Sequence, residues 1–167
     1  FIAALQVEGD ARMALDLACG AGRHALALAR NGWEVTAVDG SQVALEILGK
    51  SAADESLHVH CVLADLEKSE FDIGESRWDL VVVSYYLDRA LFPASRRGLK
   101  INGRAAFVSP REDERPGVRP MSPAFLMGRG ELVRHFPATN WVVEHAAEIE
   151  PALPERARSE LVVRRVN

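Results

Sequence analysis

Residues 15–24 read Leu-Asp-Leu-Ala-Cys-Gly-Ala-Gly-Arg-His (LDLACGAGRH), and the order of the whole chain follows from how this stretch folds. An apolar run, Met13 to Ala18, is interrupted by the carboxylate of Asp16 and closed by Gly20 and Gly22. A short apolar run bounded by glycines reads as a buried strand. Arg23 to Arg30 (RHALALAR) follows, rich in Ala and Leu, free of β-branched residues and ended by Asn31-Gly32. That composition predicts a helix with a glycine stop. A strand, a glycine loop and a helix together bring backbone N–H groups close to a ligand, because glycine permits the tight turn and the helix start leaves its amides unpaired.

The same alternation continues on both sides of the loop. Trp33 to Val38 (WEVTAV) is a second strand. After Asp39 and Gly40, Ser41 caps a helix running to about Ala52, with Val43, Leu45, Ile47 and Leu48 as its expected apolar face. Leu57 to Leu63 is a third strand, and the polar residues 66–77 form a loop or short irregular helix anchored by Phe71 and Ile73. Trp78 to Ser84 (WDLVVVS) is apolar enough for a strand buried on both faces. Asp88 to Lys100 reads as a helix that starts or breaks near Pro93, and Asn102-Gly103 as a turn into a strand from Arg104 to Ser109.

Pro110, Pro116, Pro120 and Pro123 make the next segment a loop. Gly130 to His135 is a short helix, and Asn140 to Ala146 and Ser159 to Val166 are closing strands, antiparallel to each other. This order predicts an α/β fold: a Rossmann-like, doubly wound, mostly parallel sheet of about seven strands with an antiparallel C-terminal pair, in three αβα layers. Ligands of such sheets bind beyond the carboxyl ends of the strands.

The chain has 167 residues, of which 48% are hydrophobic, enough for one core and one domain over residues 1–167. A net charge of −4 argues against a nucleic-acid partner. Cys19 and Cys61 stand far apart without metal-ligand spacing, which fits a reduced, cytoplasmic protein with neither disulfide nor metal. No apolar run approaches the roughly 20 residues of a membrane span, and the N-terminus has no signal-peptide pattern. The chain opens on Phe1 rather than Met, so a segment upstream of it is a further expectation.

Three carboxylates fall at successive strand ends: Asp16, Asp39 and Asp65. An acid about 20 residues beyond the first glycine suits ribose hydroxyls, and GAGRHA also fits the dinucleotide fingerprint, so the glycines alone leave both a nicotinamide dinucleotide and S-adenosylmethionine open. Asp16 separates them: a carboxylate beside a pyrophosphate repels it, whereas one beside a sulfonium and an ammonium attracts both. Ala64-Asp65-Leu66 adds a carboxylate for an adenine amino group and an apolar neighbour for its face.

DLACGAGRHALALARNGWEVTAVDGSQVALEIL resembles the first motif and second strand of class I S-adenosylmethionine-dependent methyltransferases, in particular the small bacterial group similar to tellurite-resistance and thiopurine methyltransferases. The likeness extends through DLVVVSYYLDRALFP and PAFLMGRGELVRHF. It implies a domain in which Asp16, Ala18, Gly20 and Gly22 line the methionine portion of the cofactor, with Arg23 near its carboxylate. It further implies that Asp39 holds the ribose, flanked by Gly40 and Ser41, that Asp65 and Leu66 bind adenine, and that Ser84 and Tyr85 approach the methyl group. Lys100-Ile-Asn-Gly103 departs from the family's more usual Lys-Pro-Gly-Gly, and the helices that cover the substrate in relatives are expected to be short or absent.

For the acceptor, the expectation is a small molecule, contacted by Tyr86, Asp88 and Arg89, with Arg111 and Glu112 as weaker candidates. No catalytic acid or base is assigned. The alternatives are a module that binds S-adenosylmethionine without turnover and an NAD(P)-dependent oxidoreductase; the latter lacks a Tyr-x-x-x-Lys pattern. His58 and His60 share a strand face but lack a third metal ligand, Cys19 reads as a small packed residue, and His24 as the start of a helix.

Overall fold

The computed structural model describes residues 12–167. The expectations about covering helices and an upstream segment fall outside the described residues. Each glycine-bounded apolar run forms a strand, and the chain alternates β1 (Met13–Leu17), α1 (Arg23–Arg30), β2 (Glu34–Asp39), α2 (Gln42–Asp54), β3 (Val59–Leu63) and β4 (Trp78–Ser84). Then come α3 (Leu91–Gly98), β5 (Leu99–Pro110), α4 (Glu131–Arg134), β6 (Trp141–Ile149) and β7 (Arg158–Arg165). The strands form one 7-stranded sheet in the order β3-β2-β1-β4-β5-β7-β6. The first five run parallel, while β7 is antiparallel to both β5 and β6. The expected sheet and its antiparallel C-terminal pair are therefore present.

Side chains alternate across the sheet with period two and feed two cores. Ala14, Val35, Ala37, Leu80 and Val82 meet Leu26 and Leu28 of α1 and Leu45 and Leu48 of α2. On the other face, Leu15, Leu17, Val81 and Val83 meet Phe92 of α3, Leu132 of α4, and the aromatic group Phe107, Phe136 and Trp141. The parity matters for the site, because it directs Asp16 and Ser84 to the face that carries α1.

Two expectations are corrected. Only Leu45, Leu48 and Ala52 of α2 are buried; Val43 and Ile47 are exposed, because the helix rests on the sheet along a narrower stripe than its composition offers. Asn102-Gly103 does not precede β5 but lies inside it. The pairing with β4 jumps there from Trp78↔Leu99 to Leu80↔Arg104, and Asn102 takes φ 65°. The turn chemistry is used for a bulge, and a Cβ at Gly103 would stand 2.9 Å from the carbonyl oxygens of Lys100 and Trp78.

Pro93 falls in the first turn of α3, where its missing N–H costs nothing, and Asp88 accepts the Ala90 N–H at 2.9 Å ahead of that helix. Pro110, expected in the loop, instead ends β5 opposite Arg158, and the proline-rich segment after it is irregular apart from a bridge between Arg111 and Met127 and a 3-10 turn at Pro123–Phe125. No helix among the described residues is long and apolar enough to cross a membrane.

Candidate functional site

The carboxyl ends of β1, β2, β3 and β4 lie along one edge of the sheet, and the loop after β1 turns there on itself. Ala18, Gly20 and Gly22 all have positive φ, at 53°, 54° and 81°. For Ala18 this region costs a non-glycine residue about 1 kcal/mol, so the surrounding contacts must hold it. Asp39 at the end of β2 provides one such contact: its Oδ2 accepts the Gly20 N–H and its Oδ1 the Ser41 N–H, each at 2.8 Å. One carboxylate thus joins the glycine loop to the start of α2, where Ser41 caps the helix by accepting the Ala44 N–H at 3.3 Å.

The two glycines serve different ends. A Cβ at Gly22 would lie 2.2 Å from Leu48 Cδ1, so Gly22 lets α1 close onto α2. A Cβ at Gly20 would meet nothing within 4 Å, so Gly20 opens onto the concave edge. Asp16 sits beneath this loop, 1% exposed, with Oδ2 buried and unpartnered. Burial raises its carboxyl to about 7, Asp39 adds to the rise, and the Ala25 amide and Arg23 work against it. A buried carboxylate oxygen without a donor is costly unless a ligand supplies one.

Ser84, the last residue of β4, faces the same space. His24 in the first turn of α1 reaches it, with Nε2 3.2 Å from Ser84 Oγ, and the Arg23 guanidinium lies 3.3 Å from the same nitrogen. Burial and Arg23 push the imidazole below the ordinary histidine range. Sequence reasoning passed over His24. The signal was available in two periodicities: Ser84 shares the parity of Leu80 and Val82, which face α1, and His24 occupies that helix's first turn.

The next residue, Tyr85, is exposed with φ 58°, held by its N–H donating to the Val108 carbonyl at 2.6 Å. Tyr86 packs against the second core at its edge, and burial followed by Asp88, Glu67, Asp65 and Asp39 drives its phenol upward. The structure therefore brings Tyr86 into the field of Asp39 and Asp65. Asp65 caps a 3-10 turn, accepting the Glu67 N–H at 3.0 Å and pairing with Lys68 at 2.8 Å, while the Leu66 side chain is buried in the core.

Other candidates are committed elsewhere. Arg89 forms a two-pronged pair with Glu131, at 2.6 and 3.1 Å, and donates to the Leu126 carbonyl. Arg111 is buried between Glu148 and Glu150, at 2.9 and 2.6 Å, where it ties the proline-rich segment to the end of β6. Glu112 lines a charged cleft beside it with Asp113, Arg115 and Arg129. His58 and His60 are exposed, and burial pushes the Cys19 thiol well up, the state of a packed cysteine rather than a nucleophile.

A family model described as a methyltransferase domain matches residues 14–103, from β1 into β5, which is more than half of the chain. The chain belongs to the methyltransferase domain family. In a curated relative, the cypemycin N-terminal methyltransferase of a Streptomyces species, 136 aligned residues are 35% identical, covering 74% of this chain and 53% of that protein. The methyltransferase domain also superposes on TehB from Haemophilus influenzae with a TM-score of 0.78 at 19% identity, over 93% of this chain and 58% of that one. Geranyl diphosphate C-methyltransferase from Streptomyces coelicolor A3(2), solved with Mg2+, geranyl diphosphate and S-adenosyl-L-homocysteine, gives a TM-score of 0.72 at 16% identity, over 93% and 71% of the two chains. These two superpositions show the shared fold. The chain spans about half the length of the curated relative it matches.

Proposed function

We propose that this methyltransferase domain transfers the methyl group of S-adenosylmethionine to a small-molecule acceptor. The observation that carries the reading is Asp16: a buried carboxylate oxygen without a donor, beneath a glycine loop whose Gly20 leaves the space above it open. A ligand that brings an ammonium and a sulfonium satisfies that oxygen, whereas a pyrophosphate would be repelled by it. The residues present fit the cofactor. Asp16, Ala18, Gly20 and Gly22 would hold its methionine portion with Arg23 at the carboxylate, Asp39, Gly40 and Ser41 its ribose, and Asp65 and Leu66 its adenine. Ser84 and Tyr85 would stand near the methyl group.

The sulfonium supplies the methyl carbon as an electrophile, and the domain's share is to bind, orient and exclude water. Tyr86 and Asp88 at the edge of the same space are the proposed acceptor contacts. Arg89, engaged with Glu131, would serve by fixing the segment that carries them. An acidic chain fits a metabolite better than a nucleic acid. Two free cysteines agree with a reducing, cytoplasmic setting.

The experiment is a labelled-methyl assay against a panel of metabolites, run with wild type and Asp39→Ala. Label transfer that falls with the substitution supports the reading. Binding of S-adenosylhomocysteine with no transfer to any acceptor would favour a module that holds the cofactor without turnover.

A further inference from the structure

β4 leaves β5 at Tyr85, and a second segment takes the vacated edge. The pairing of the two strands ends at Ser84↔Val108, and Tyr85 still donates its N–H to the Val108 carbonyl at 2.6 Å. Two residues further along the same edge of β5, the Pro110 carbonyl accepts instead from the Met127 N–H at 2.9 Å, and the Met127 carbonyl accepts the Glu112 N–H at 3.0 Å. Met127 bridges Arg111 in the parallel sense. The residues before Met127 therefore lie back toward the level of Tyr85, and Phe125, which ends the 3-10 turn, is two positions before it. Arg89, donating to the Leu126 carbonyl at 3.2 Å, ties the segment after β4 to this second bank.

This break is where the domain exposes aromatic surface. Tyr85 and Phe125 are the only exposed aromatic side chains among the described residues, at 57% and 48%. Every other described aromatic is buried or half-buried. Tyr85 also holds φ 58°, a conformation that a bulky side chain rarely adopts. A strained residue whose ring stays in water gains little packing within the domain in return. The break begins one residue beyond Ser84, on the edge where the methyl group of the cofactor is proposed to lie.

We infer that Tyr85 and Phe125 flank the slot that receives the methyl acceptor, and that the part of the acceptor held there is an uncharged aromatic ring. This rests on the methyl-transfer reading above and adds a specificity-determining residue, Phe125, with the chemical class of the group it selects. A ring attracts another ring through its faces and edges beyond what buried area alone gives, whereas a straight chain gains burial only. Charged groups are not favoured at the break, because the two guanidiniums beside it are already paired. Arg89 binds Glu131 at 2.6 and 3.1 Å, and Arg158, close enough to sense the Tyr85 phenol, binds Glu160 at 2.7 Å. An anion would have to displace a carboxylate from one of them, and a cation would meet both guanidiniums.

The test uses the complex with S-adenosylhomocysteine and reads the binding of benzyl alcohol, butanol, butylammonium and butyrate by ligand-observed NMR. Wild type should bind benzyl alcohol about ten-fold more tightly than butanol, and the charged probes no better than butanol. Phe125→Leu, which keeps an apolar side chain but removes the ring, should cut that ratio to about three-fold, and Phe125→Trp should keep it. Both variants should bind S-adenosylhomocysteine as wild type does. In the labelled-methyl assay, Phe125→Leu should raise KM for a ring-bearing acceptor about three-fold with kcat nearly unchanged, a split that a general loss of structure would not give. Equal binding of benzyl alcohol and butanol, a ratio kept in Phe125→Leu, preference for a charged probe, or transfer only to acceptors without a ring would overturn the inference alone. Failure of wild type to bind S-adenosylhomocysteine would instead overturn the methyl-transfer reading beneath it.

Discussion

Asp16 is a carboxyl held at about 7 because burial disfavours its charge more than the Ala25 amide and Arg23 favour it. Its folded value lies above its unfolded one, so the folded state binds the proton more tightly. The stability contributed by the protonated form is fully present below about pH 4 and is lost as pH rises to about 7. The full loss is on the order of 4 kcal/mol at about 1.4 kcal/mol per pH unit, and less where water reaches the site. Cofactor-free Asp16→Asn should therefore melt above wild type at pH 8 and close to it at pH 4, as calorimetry would show, while binding S-adenosylhomocysteine more weakly. Asp39→Ala should weaken S-adenosylhomocysteine by about 1 to 3 kcal/mol, since it removes the proposed ribose partner and frees the Gly20 and Ser41 amides. Unchanged affinity in isothermal titration would count against the assignment. At this scale the sequence was informative where a residue broke its local pattern: Asp16 stands out as a carboxylate in an apolar strand, and the structure buries it with one oxygen unpartnered. The His24–Ser84 contact was not, because it joins residues that are neighbours only once α1 is laid on β4.

The elements that position these residues depend on a few close approaches. Gly22 adopts φ 81° and leaves room for Leu48, so Gly22→Ala should destabilise by about 1 to 3 kcal/mol through strain and overpacking. The double variant with Leu48→Ala should cost less than the sum of the two, because the second change removes the clash; strict additivity in urea unfolding would refute the packing account. The proline-rich segment is anchored differently. Arg111 is 5% exposed, whereas the side chains of Glu148 and Glu150 are 29% and 48% exposed. Removing both carboxylates strands a buried cation and should cost about 3 kcal/mol or more, while Arg111→Met leaves two groups able to rehydrate and should cost under about 1.5 kcal/mol. Equal losses in thermal melts would contradict that asymmetry. Strand and helix types were readable because period and turn residues are local. The bulge at Asn102 and the exposure of Val43 and Ile47 were not, since both are set by how neighbouring elements meet.

At the scale of the molecule, two cores clasp one sheet, and the parity of each strand decides which core a residue joins. The same parity directs Asp16, Asp39 and Ser84 to the face of α1, and the loop and helix start bring Gly20 and His24 to them, although these residues are spread over nearly 70 positions of sequence. The order of strands and helices was legible because right-handed crossovers leave few alternatives. The acceptor's identity was not, since it depends on the space the loops enclose rather than on any motif. A ligand that binds only the folded state raises its stability in proportion to its affinity, so the cofactor should raise the melting temperature of the whole domain. The most direct measurement is calorimetric titration with S-adenosylhomocysteine and, separately, with NADH. The account predicts saturable binding of one S-adenosylhomocysteine per chain, strengthening as pH rises through about 7 with Asp16 ionisation, and no binding of NADH. Binding of NADH without S-adenosylhomocysteine would contradict it.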